Sequence, residues 1–353
     1  MLLEHTWGKS RGTLPRNLIS KKKRLDNPVK QRDATFDIMK GIGILLVITC
    51  HFFGWNHPLL AQVILSFHMP LFFFVAGYFS KAYVDGPTSW EHVKHFSRRL
   101  IPPFIVTQLV IIAWAVLMAF AKHEGWDPVI RDTLSLFWAD VFGPMTPWGK
   151  LTIGVIWFLL ALFVAKSLLI PLSRLKQWAI PVSLILAYGT LLLHKVLPYS
   201  VWCISLGLMA LPFVTIGWWV REHPFPLWLN LLTIGCWIAA IFLSRLEMYT
   251  FTWKCYPLDV LGAYGGTYCV YWISKWTGKY LKPVSKVFAY LGLISLAIMC
   301  VHCFEMDSHL GNRIRVAAGI GIQDWVLYVW RYVLTIGLAI VLVHIPKVKQ
   351  IFV

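Results

Sequence analysis

The feature that most constrains this chain is a series of long apolar stretches. Ten stretches of about 17 to 25 residues each have the length that a helix needs to cross the hydrocarbon core of a bilayer. They cover residues 38–56, 59–83, 100–121, 151–170, 178–194, 201–220, 227–244, 257–274, 286–304 and 324–345. The sequence therefore predicts an all-α, polytopic integral membrane protein with about ten transmembrane helices.

The composition favours a membrane protein over a soluble one. Hydrophobic residues make up 58% of the 353 residues and charged residues only 14%, whereas soluble domains carry about 25% charged residues. The net charge of +17 would point to nucleic acid in a soluble protein, but here the basic residues lie in short links between apolar stretches. We therefore expect membrane lipids with anionic headgroups as partners, and no nucleic acid.

The distribution of Lys and Arg between alternate links predicts the orientation. With the N-terminus in the cytoplasm, the inner segments hold 22 Lys and Arg residues and the outer links hold 8. Cytoplasmic loops of membrane proteins carry such an excess. Both termini are therefore expected to be cytoplasmic.

The chain is expected to form one transmembrane domain with polar ends. Residues 1–31 are polar and basic with no apolar core, which predicts a flexible cytoplasmic tail and no cleavable signal peptide. Residues 32–346 are the expected membrane domain, and 347–353 a short cytoplasmic C-terminal tail. The longest internal link, 122–150, contains an apolar patch at Leu134–Val141 that favours a helix lying on the membrane surface.

The seven cysteines are not arranged like a disulfide framework. All of them lie within or at the ends of apolar stretches. Cys300 and Cys303 form a C-x-x-C sequence, but inside an apolar helix and without a second ligand pair. Helix packing is the interpretation we adopt, and no metal is expected.

Ionisable groups at membrane depth are costly, so each is a candidate functional residue. Lys40 and His51 lie eleven residues apart in the first stretch, which is three helical turns plus about 20°, so both side chains share one face. A rise of about 16 Å places Lys40 near the cytoplasmic surface and His51 well inside the bilayer. Two interpretations stay open: a functional pair, or a lysine that reaches the interface and a histidine that hydrogen-bonds a neighbouring helix.

A second histidine lies at a similar depth. His68 of the second stretch and His51 of the first are both about 20 Å from the inner end, so the two imidazoles are expected to line one cavity. Pro70 leaves a backbone carbonyl one turn earlier without its helical partner, which favours a kink or a polar pocket. The alternative is that His68 only caps this kink.

Polar residues also mark the predicted outer half. Arg331 lies about 10 Å below the outer surface and is expected to face the bundle interior rather than lipid. Trp157 and His302 lie near the outer half of their stretches, and Glu305 follows His302 at the outer mouth.

Basic residues form a rim on the predicted cytoplasmic side. Its members are Lys40, Lys81, Lys94, Arg98, Arg99 and Lys166. Such a rim would attract a ligand that carries several phosphates. It would equally satisfy the excess of positive charge on cytoplasmic loops, so both interpretations stay open.

Two motifs go beyond composition. They are Asp37-x-x-Lys40-Gly41 followed by His51, and Ser66-Phe-His-Met-Pro70-Leu-Phe-Phe-Phe-x-x-Gly77-Tyr78. Together they resemble the membrane acyltransferase family 3, most closely its branch of sugar O-acetylases of the fucose O-acetylase type. Weaker pieces follow in order, namely Arg98-Arg99-Leu-Ile-Pro102, Trp157-Phe158-Leu159 and Tyr290-Leu-Gly292-x-x-Ser295-Leu-Ala-Ile-x-x-x-His302. The resemblance covers roughly residues 33 to 345.

The resemblance implies an acyl-CoA donor, with acetyl-CoA first among them, and a carbohydrate acceptor. His51 is then the expected general base, with Lys40 and His68 beside it. The implied donor-binding residues are Lys40, Lys94, Arg98, Arg99 and Lys166, and the implied acceptor pocket is Trp157, His302, Glu305 and Arg331. Structural roles fall to Asp37, Gly41, Pro70, Gly77 and Ser295. The family usually has Arg where Lys40 stands, and lysine keeps the charge without the bidentate fork.

The expected function is therefore transfer of an acyl group, acetyl in the first instance, from cytoplasmic acyl-CoA to a hydroxyl of a cell-envelope or lipid-linked carbohydrate. The expected location is a cell membrane, and the resemblance implies the bacterial inner membrane. A transporter or flippase for a lipid-linked saccharide is the main alternative, although the sequence has no internal repeat of the kind many transporters carry. A membrane sensor is a second alternative.

Overall fold

The computed structural model of the chain describes most of the predicted membrane domain. It covers residues 34–53, 57–80, 89–122, 125–142, 153–197, 201–317, 319 and 324–352, with 324–328 described by their backbone alone. The expected basic tail at residues 1–31 and the rim residue Lys81 lie outside these ranges.

The described residues are almost entirely helical. In chain order the α-helices are α1 Ala34–Phe53, α2 Pro58–Leu65, α3 His68–Tyr78, α4 Ser89–Ala121, α5 Trp126–Phe142, α6 Trp157–Ser173, α7 Ala179–His194, α8 Ile204–Glu222, α9 Leu227–Leu243, α10 Tyr256–Tyr280, α11 Lys282–Leu293, α12 Ser295–Ser308, α13 Leu310–Ala317, α14 Asp324–His344 and α15 Pro346–Phe352. Short 3₁₀ turns precede α6, α7 and α8 at Gly154–Ile156, Lys176–Trp178 and Val201–Cys203.

The helix lengths are those of a multi-pass membrane protein. Within the described ranges, 6 helical segments are long and apolar enough to cross a membrane, and up to 8 spans result if each of two bent pairs counts as one. The bent pairs are α11 with α12, at 67°, and residues Val329–His344 of α14 with α15, at 113°. The expected count of ten spans and the cytoplasmic position of both termini stay predictions.

The second predicted stretch forms two helices rather than one. α2 ends at Leu65 and α3 begins at His68. Pro70 has no N–H to donate to the carbonyl of Ser66, four residues earlier, so regular helical hydrogen bonds cannot continue across this point. The Ser66 hydroxyl accepts a 2.8 Å hydrogen bond from the indole of Trp237 on α9. The chain therefore breaks its helix one turn before Pro70, and His68 takes the first position of α3.

Some helices approach so closely that only glycine fits between them. A Cβ atom on Gly41 of α1 would overlap the carbonyl oxygen of Phe288 on α11, and one on Gly292 of α11 would overlap the carbonyl oxygen of Asp37. Gly77 of α3 meets the backbone of α8 in the same way. Small residues allow such backbone contact between membrane helices, and these contacts fix α1 and α3 on either side of the site described below.

A short β-hairpin joins α9 to α10. Its strands are β1 Leu246–Glu247 and β2 Thr252–Trp253, which pair antiparallel with Glu247 opposite Thr252. The four residues between the strands include Phe251, whose φ of 54° lies in the left-handed region. β1 packs against α2, so the hairpin lies near the end of α1 that carries His51.

The longest predicted link contains α5, which packs against α4. One face of α5 exposes large apolar side chains, namely Trp126, Ile130, Leu134, Phe137 and Trp138. The expected position of this helix on the membrane surface stays a prediction. At the other end of the chain, the expected C-terminal tail forms α15, which packs against α4 and buries Phe352.

Candidate active site

A cavity of about 500 Å³ lies between α1, α3, α4, α6, α12 and the hairpin. Its lining includes Lys40, Ile44, Val47, His51, His68, Phe72, Ala76, Arg99, Gly154, Trp157, Phe158, Lys166, Glu247, Met248, Tyr249, Ser295 and Met299. Lys40 and His51 lie about 16 Å apart along α1. Because both line it, the cavity extends along the helix from the Lys40 end to the hairpin end, and most of its wall between them is apolar.

Three cations line the first end of the cavity. They are Lys40 of α1, Arg99 of α4 and Lys166 of α6. The Lys40 ammonium makes a 2.9 Å ion pair with the carboxylate of Asp37, one helical turn earlier. The Lys166 ammonium lies 5.2 Å from the centre of the Phe96 ring, which holds it against α4. Three cations and one carboxylate, that of Asp37, leave an excess of positive charge among these four side chains.

Two residues of the predicted basic rim do not reach the cavity. Lys94 and Arg98 are both exposed, and neither belongs to its lining. They share α4 with Arg99, but Arg98 is rotated about 100° from Arg99 around the helix axis. Of the five predicted donor-binding residues, the structure therefore brings together Lys40, Arg99 and Lys166.

The two predicted histidines both line the cavity. His51 and His68 both contribute to its wall, from α1 and α3. The Nδ1 atom of His68 lies 2.9 Å from the carbonyl oxygen of Ile64. A carbonyl only accepts, so Nδ1 carries the proton and, in the neutral ring, Nε2 is left as an acceptor. His68 can then hold a substrate hydroxyl through Nε2, whereas donation to an oxyanion requires its protonated form.

Three of the four predicted acceptor residues lie behind His51 and outside the cavity lining. The ring of His302 on α12 lies 5.4 Å from that of His51, between centroids, and is fully buried. Arg331 of α14 donates from Nε to Glu305, also on α12, at 2.9 Å. Arg331 also covers the ring of Phe52 at 4.5 Å. Arg331 thus faces the bundle interior, as its position in the sequence predicts, but as a buried ion pair rather than as part of the cavity wall.

The far end of the cavity is closed by aromatic and acidic residues. Trp157, the fourth predicted acceptor residue, is buried at the start of α6 and lines the cavity. Its ring lies 6.4 Å from that of Tyr249, between centroids, at an angle of 53°. The hairpin residues Glu247, Met248 and Tyr249 complete this wall. The two ends of the cavity therefore differ in charge.

Residues 33–344 match the sequence profile described as an acyltransferase domain. The chain belongs to this acyltransferase family. The match includes both motifs that carry the resemblance in the sequence, and it runs through every helix that lines the cavity.

Two curated relatives of this acyltransferase are nodulation proteins. The chain is 28% identical over 232 residues to the nodulation protein NolL of Mesorhizobium japonicum, an alignment that covers 59% of this chain and 56% of the relative. It is 23% identical over 228 residues to nodulation protein NolL of Sinorhizobium fredii, with the same two coverages of 59% and 56%. The alignment thus spans about half the length of these relatives. No solved structure matches the chain with significance.

The sequence of this acyltransferase did not point to its hairpin. Glu247, Met248 and Tyr249 lie in what the charge count treats as an outer link. The available signal is the alternation of Thr250, Phe251, Thr252 and Trp253, which is typical of a strand. A single acidic residue next to it gives no indication of facing a cavity. Ser295, predicted as structural, also lines the cavity, and its hydroxyl donates to the carbonyl of Gly292 at 3.0 Å.

Proposed function

We propose that this acyltransferase moves an acyl group, acetyl in the simplest case, from acyl-CoA to a hydroxyl of a cell-envelope or lipid-linked carbohydrate. The observation that carries the proposal is one cavity whose wall includes three cations at one end and two histidines, of which His51 lies about 16 Å along α1 from Lys40. A donor that enters at the cations would present its thioester to the imidazoles.

The basic end matches the chemistry of the donor. CoA carries several phosphate charges, and Lys40, Arg99 and Lys166 offer ammonium and guanidinium donors to them. The pantetheine arm is long and narrow, so it suits the largely apolar passage of about 16 Å between Lys40 and His51. The distribution of Lys and Arg favours a cytoplasmic position for Lys40, and in that orientation the donor would come from the pool of cytoplasmic acyl-CoA.

His51 is the proposed general base. It takes the proton from the acceptor hydroxyl as the hydroxyl oxygen attacks the thioester carbonyl carbon. The tetrahedral intermediate then collapses, the carbon–sulfur bond breaks, and His51 returns the proton to the CoA thiolate as it leaves. The products are an O-acyl ester and free CoA. His68 would hold the acceptor hydroxyl through its Nε2 atom, since its Nδ1 is engaged by Ile64.

The test is acetyl-CoA binding and CoA release by the purified protein in detergent. His51→Ala is expected to lower CoA release by about 10²–10⁴-fold, the usual contribution of a general base, and to leave binding intact. Arg99→Ala is expected to weaken acetyl-CoA binding by about tenfold or more, since a hydrogen bond to a charged group contributes roughly 1.5–3 kcal/mol. Arg98→Ala is the matched control, because Arg98 neighbours Arg99 on α4 but does not line the cavity.

Two outcomes would contradict the proposal. The first is an absence of acetyl-CoA binding at micromolar concentration by wild-type protein that is shown to be folded. The second is equal loss of binding in Arg98→Ala and Arg99→Ala, which would mean that the net charge of the surface, and not the cavity, attracts the donor.

A further inference from the structure

The hairpin end of the cavity has the construction of a binding site of its own. Glu247 lines the cavity together with Trp157 and Tyr249. The two rings meet at 53°, so they form a corner rather than a parallel stack. A carboxylate next to an aromatic corner offers hydrogen-bond acceptors and an apolar surface side by side, which suits a ligand with hydroxyl groups on an apolar ring.

The hairpin is anchored at its base. The Gln62 side-chain amide of α2 donates to the Ser244 carbonyl at 2.9 Å, and the Ser244 hydroxyl accepts from the backbone N–H of Cys255 at 2.9 Å. These two bonds fix both ends of the hairpin segment.

The tip of the hairpin is also held in place. The ring of His194, at the end of α7, stacks on the ring of Phe251 with 3.9 Å between centroids and 14° between planes. Leu246 and Met248 are buried on either side of Glu247. The carboxylate is thus positioned before any ligand binds, and pre-positioned groups bind with less loss of conformational entropy.

Glu247 has a fixed orientation as well as a fixed position. The Arg245 guanidinium donates to its Oε2 atom at 3.1 Å. The Arg245 side chain is 61% exposed and does not line the cavity, whereas the Glu247 side chain is 23% exposed. The cation therefore orients the carboxylate from outside the cavity lining, and Glu247 is the member of the pair that lines the cavity.

We propose that this hairpin end binds an uncharged, hydroxyl-bearing ring of the acceptor, and that Glu247 discriminates against acceptors that carry a carboxylate or sulfate there. The proposal rests on the proposed function, which supplies a carbohydrate acceptor. Hydroxyls of a neutral sugar donate to Glu247, and the ring packs in the corner of Trp157 and Tyr249. An anionic sugar at the same place would set two negative charges against each other in a confined space, which is a repulsive element of specificity.

The opposite charges of the two ends divide the cavity between the substrates. The anionic donor is attracted by Lys40, Arg99 and Lys166 and is repelled by Glu247 at the far end. A neutral acceptor has no such preference for the basic end. The two substrates would therefore meet near His51 and His68 from opposite ends, with the hydroxyl and the thioester facing each other.

The experiment measures acyl transfer from acetyl-CoA to matched methyl glycosides by purified protein in detergent, with the O-acetyl product detected by mass spectrometry. The probes are a panel of methyl hexopyranosides and the methyl uronosides in which the terminal CH₂OH is replaced by a carboxylate. Wild-type protein is expected to acetylate hexopyranosides at least about tenfold faster than the matched uronosides, and Glu247→Gln to bring the ratio close to one while raising the acceptor KM by about tenfold.

Two further variants separate ligand contact from folding. Arg245→Gln removes the partner that orients Glu247 but keeps the carboxylate, so it is expected to retain the preference for neutral glycosides. Glu222→Gln removes a carboxylate that is exposed at the end of α8, away from the cavity lining, and is expected to match wild type in rate and in preference. If Arg245→Gln loses as much transfer as Glu247→Gln, the hairpin fold and not the carboxylate is responsible, and the proposal is overturned.

The remaining outcomes also decide the proposal. A wild-type protein that binds and hydrolyses acetyl-CoA but acetylates none of the glycosides, or prefers the uronosides, overturns the assignment of the hairpin end and leaves the donor chemistry intact. An unchanged acceptor KM in Glu247→Gln would also overturn the assignment of the hairpin end and leave the donor chemistry intact. Failure of the proposed function is a separate result, since it appears as loss of acetyl-CoA binding and CoA release with no acceptor present.

Discussion

The imidazole rings of His51 and His302 lie 5.4 Å apart between centroids and at an angle of 50° to each other. His302 is fully buried, and neither of its ring nitrogens has a hydrogen-bond partner within the described part of the chain. Buried polar groups are rarely left in this state. Since His302 does not line the cavity while His51 does, we infer that His302 acts on substrates only through His51, as a positioning residue.

Replacing His302 by Phe is expected to lower turnover by about tenfold or more and to leave acetyl-CoA binding unchanged. Phenylalanine keeps a ring against His51 and against Phe52, whose centroid lies 5.3 Å from that of His302, but it removes both nitrogens. When His51 takes a proton during transfer, a hydrogen bond from its imidazolium to a His302 nitrogen would contribute about 1.5–3 kcal/mol, and His302→Phe cannot accept it. Steady-state rates and equilibrium binding of acetyl-CoA are the measurements.

Partial recovery of turnover in His302→Gln would support this role, because the amide nitrogen and oxygen restore polar atoms near the ring of His51. If His302→Phe and wild type share the same kcat, packing is the whole role of His302.

The buried ion pair between Arg331 and Glu305 is expected to be sensitive to removal of either partner. Arg331→Met leaves the Glu305 carboxylate, which is fully buried, without its cation, and such an uncompensated charge costs about 3–5 kcal/mol. Met at both positions is expected to recover most of the loss, because an apolar pair of similar volume needs no partner. Thermal unfolding of the single and double variants in detergent measures the coupling.

The control for this pair is the exposed ion pair of Arg221 and Glu222 at the end of α8, where the side chains are 39% and 67% exposed. Exposed pairs contribute about 0–1 kcal/mol, so Arg221→Met should hardly change the unfolding temperature. Additive losses in Arg331→Met and Glu305→Met, without recovery in the double variant, would show that the two side chains act separately.

The sequence alone predicts the parts of this site that depend on local periodicity. The spacing of Lys40 and His51 follows from the geometry of one helix, and both side chains line the cavity as that geometry requires. Pro70 lacks an N–H, and the helix breaks one turn earlier. The apolar stretches correspond to helices because length and hydropathy are local properties, although the number of spans is six to eight by those criteria within the described ranges.

Contacts between distant segments could not be predicted in this way. Glu247 faces the cavity because the hairpin is tied to α2 by Gln62 and to α7 by His194, two residues far from it in the sequence. The count of Lys and Arg places Arg98 and Arg99 in the same inner segment. This count carries no information on which of the two side chains faces the cavity. Rotation of α4 about its axis is set by packing against α6 and α12, and one sequence does not encode that packing as a readable pattern.

The close contact of α1 with α11 is expected to tolerate no side chain at Gly41. A Cβ there would overlap the Phe288 carbonyl oxygen, which is backbone and cannot move aside without moving α11. We expect Gly41→Ala to lower the unfolding temperature and acetyl-CoA turnover together, since α1 carries Lys40 and His51. Gly189→Ala is the matched control, because a Cβ at Gly189 meets nothing within 4 Å.

In the control variant Gly189→Ala, alanine replaces a helical glycine and is expected to raise the free energy of unfolding by up to about 1 kcal/mol. Measurement of both variants by thermal unfolding separates backbone contact from helix propensity. Equal behaviour of Gly41→Ala and Gly189→Ala would mean that α1 and α11 do not pack through this glycine.

Asp140 on α5, outside the candidate spans, is expected to make stability depend on pH. Burial raises the pKa of this carboxyl to about 7, while a hydrogen bond from the Gln108 side chain opposes the shift. In the unfolded chain an aspartate has a pKa of about 4. The folded state therefore binds more protons than the unfolded state between about pH 4 and pH 7, and the free energy of unfolding falls as pH rises through this window and then levels off.

Asp140→Asn removes this contribution to the free energy of unfolding. The variant is expected to show a smaller fall in unfolding temperature than wild type between about pH 5 and about pH 8. Asp127→Asn, an exposed change on the same helix, should keep the wild-type slope. An Asp140→Asn variant with the wild-type slope would show that another group titrates in this window, and that α5 packs on α4 independently of the Asp140 proton.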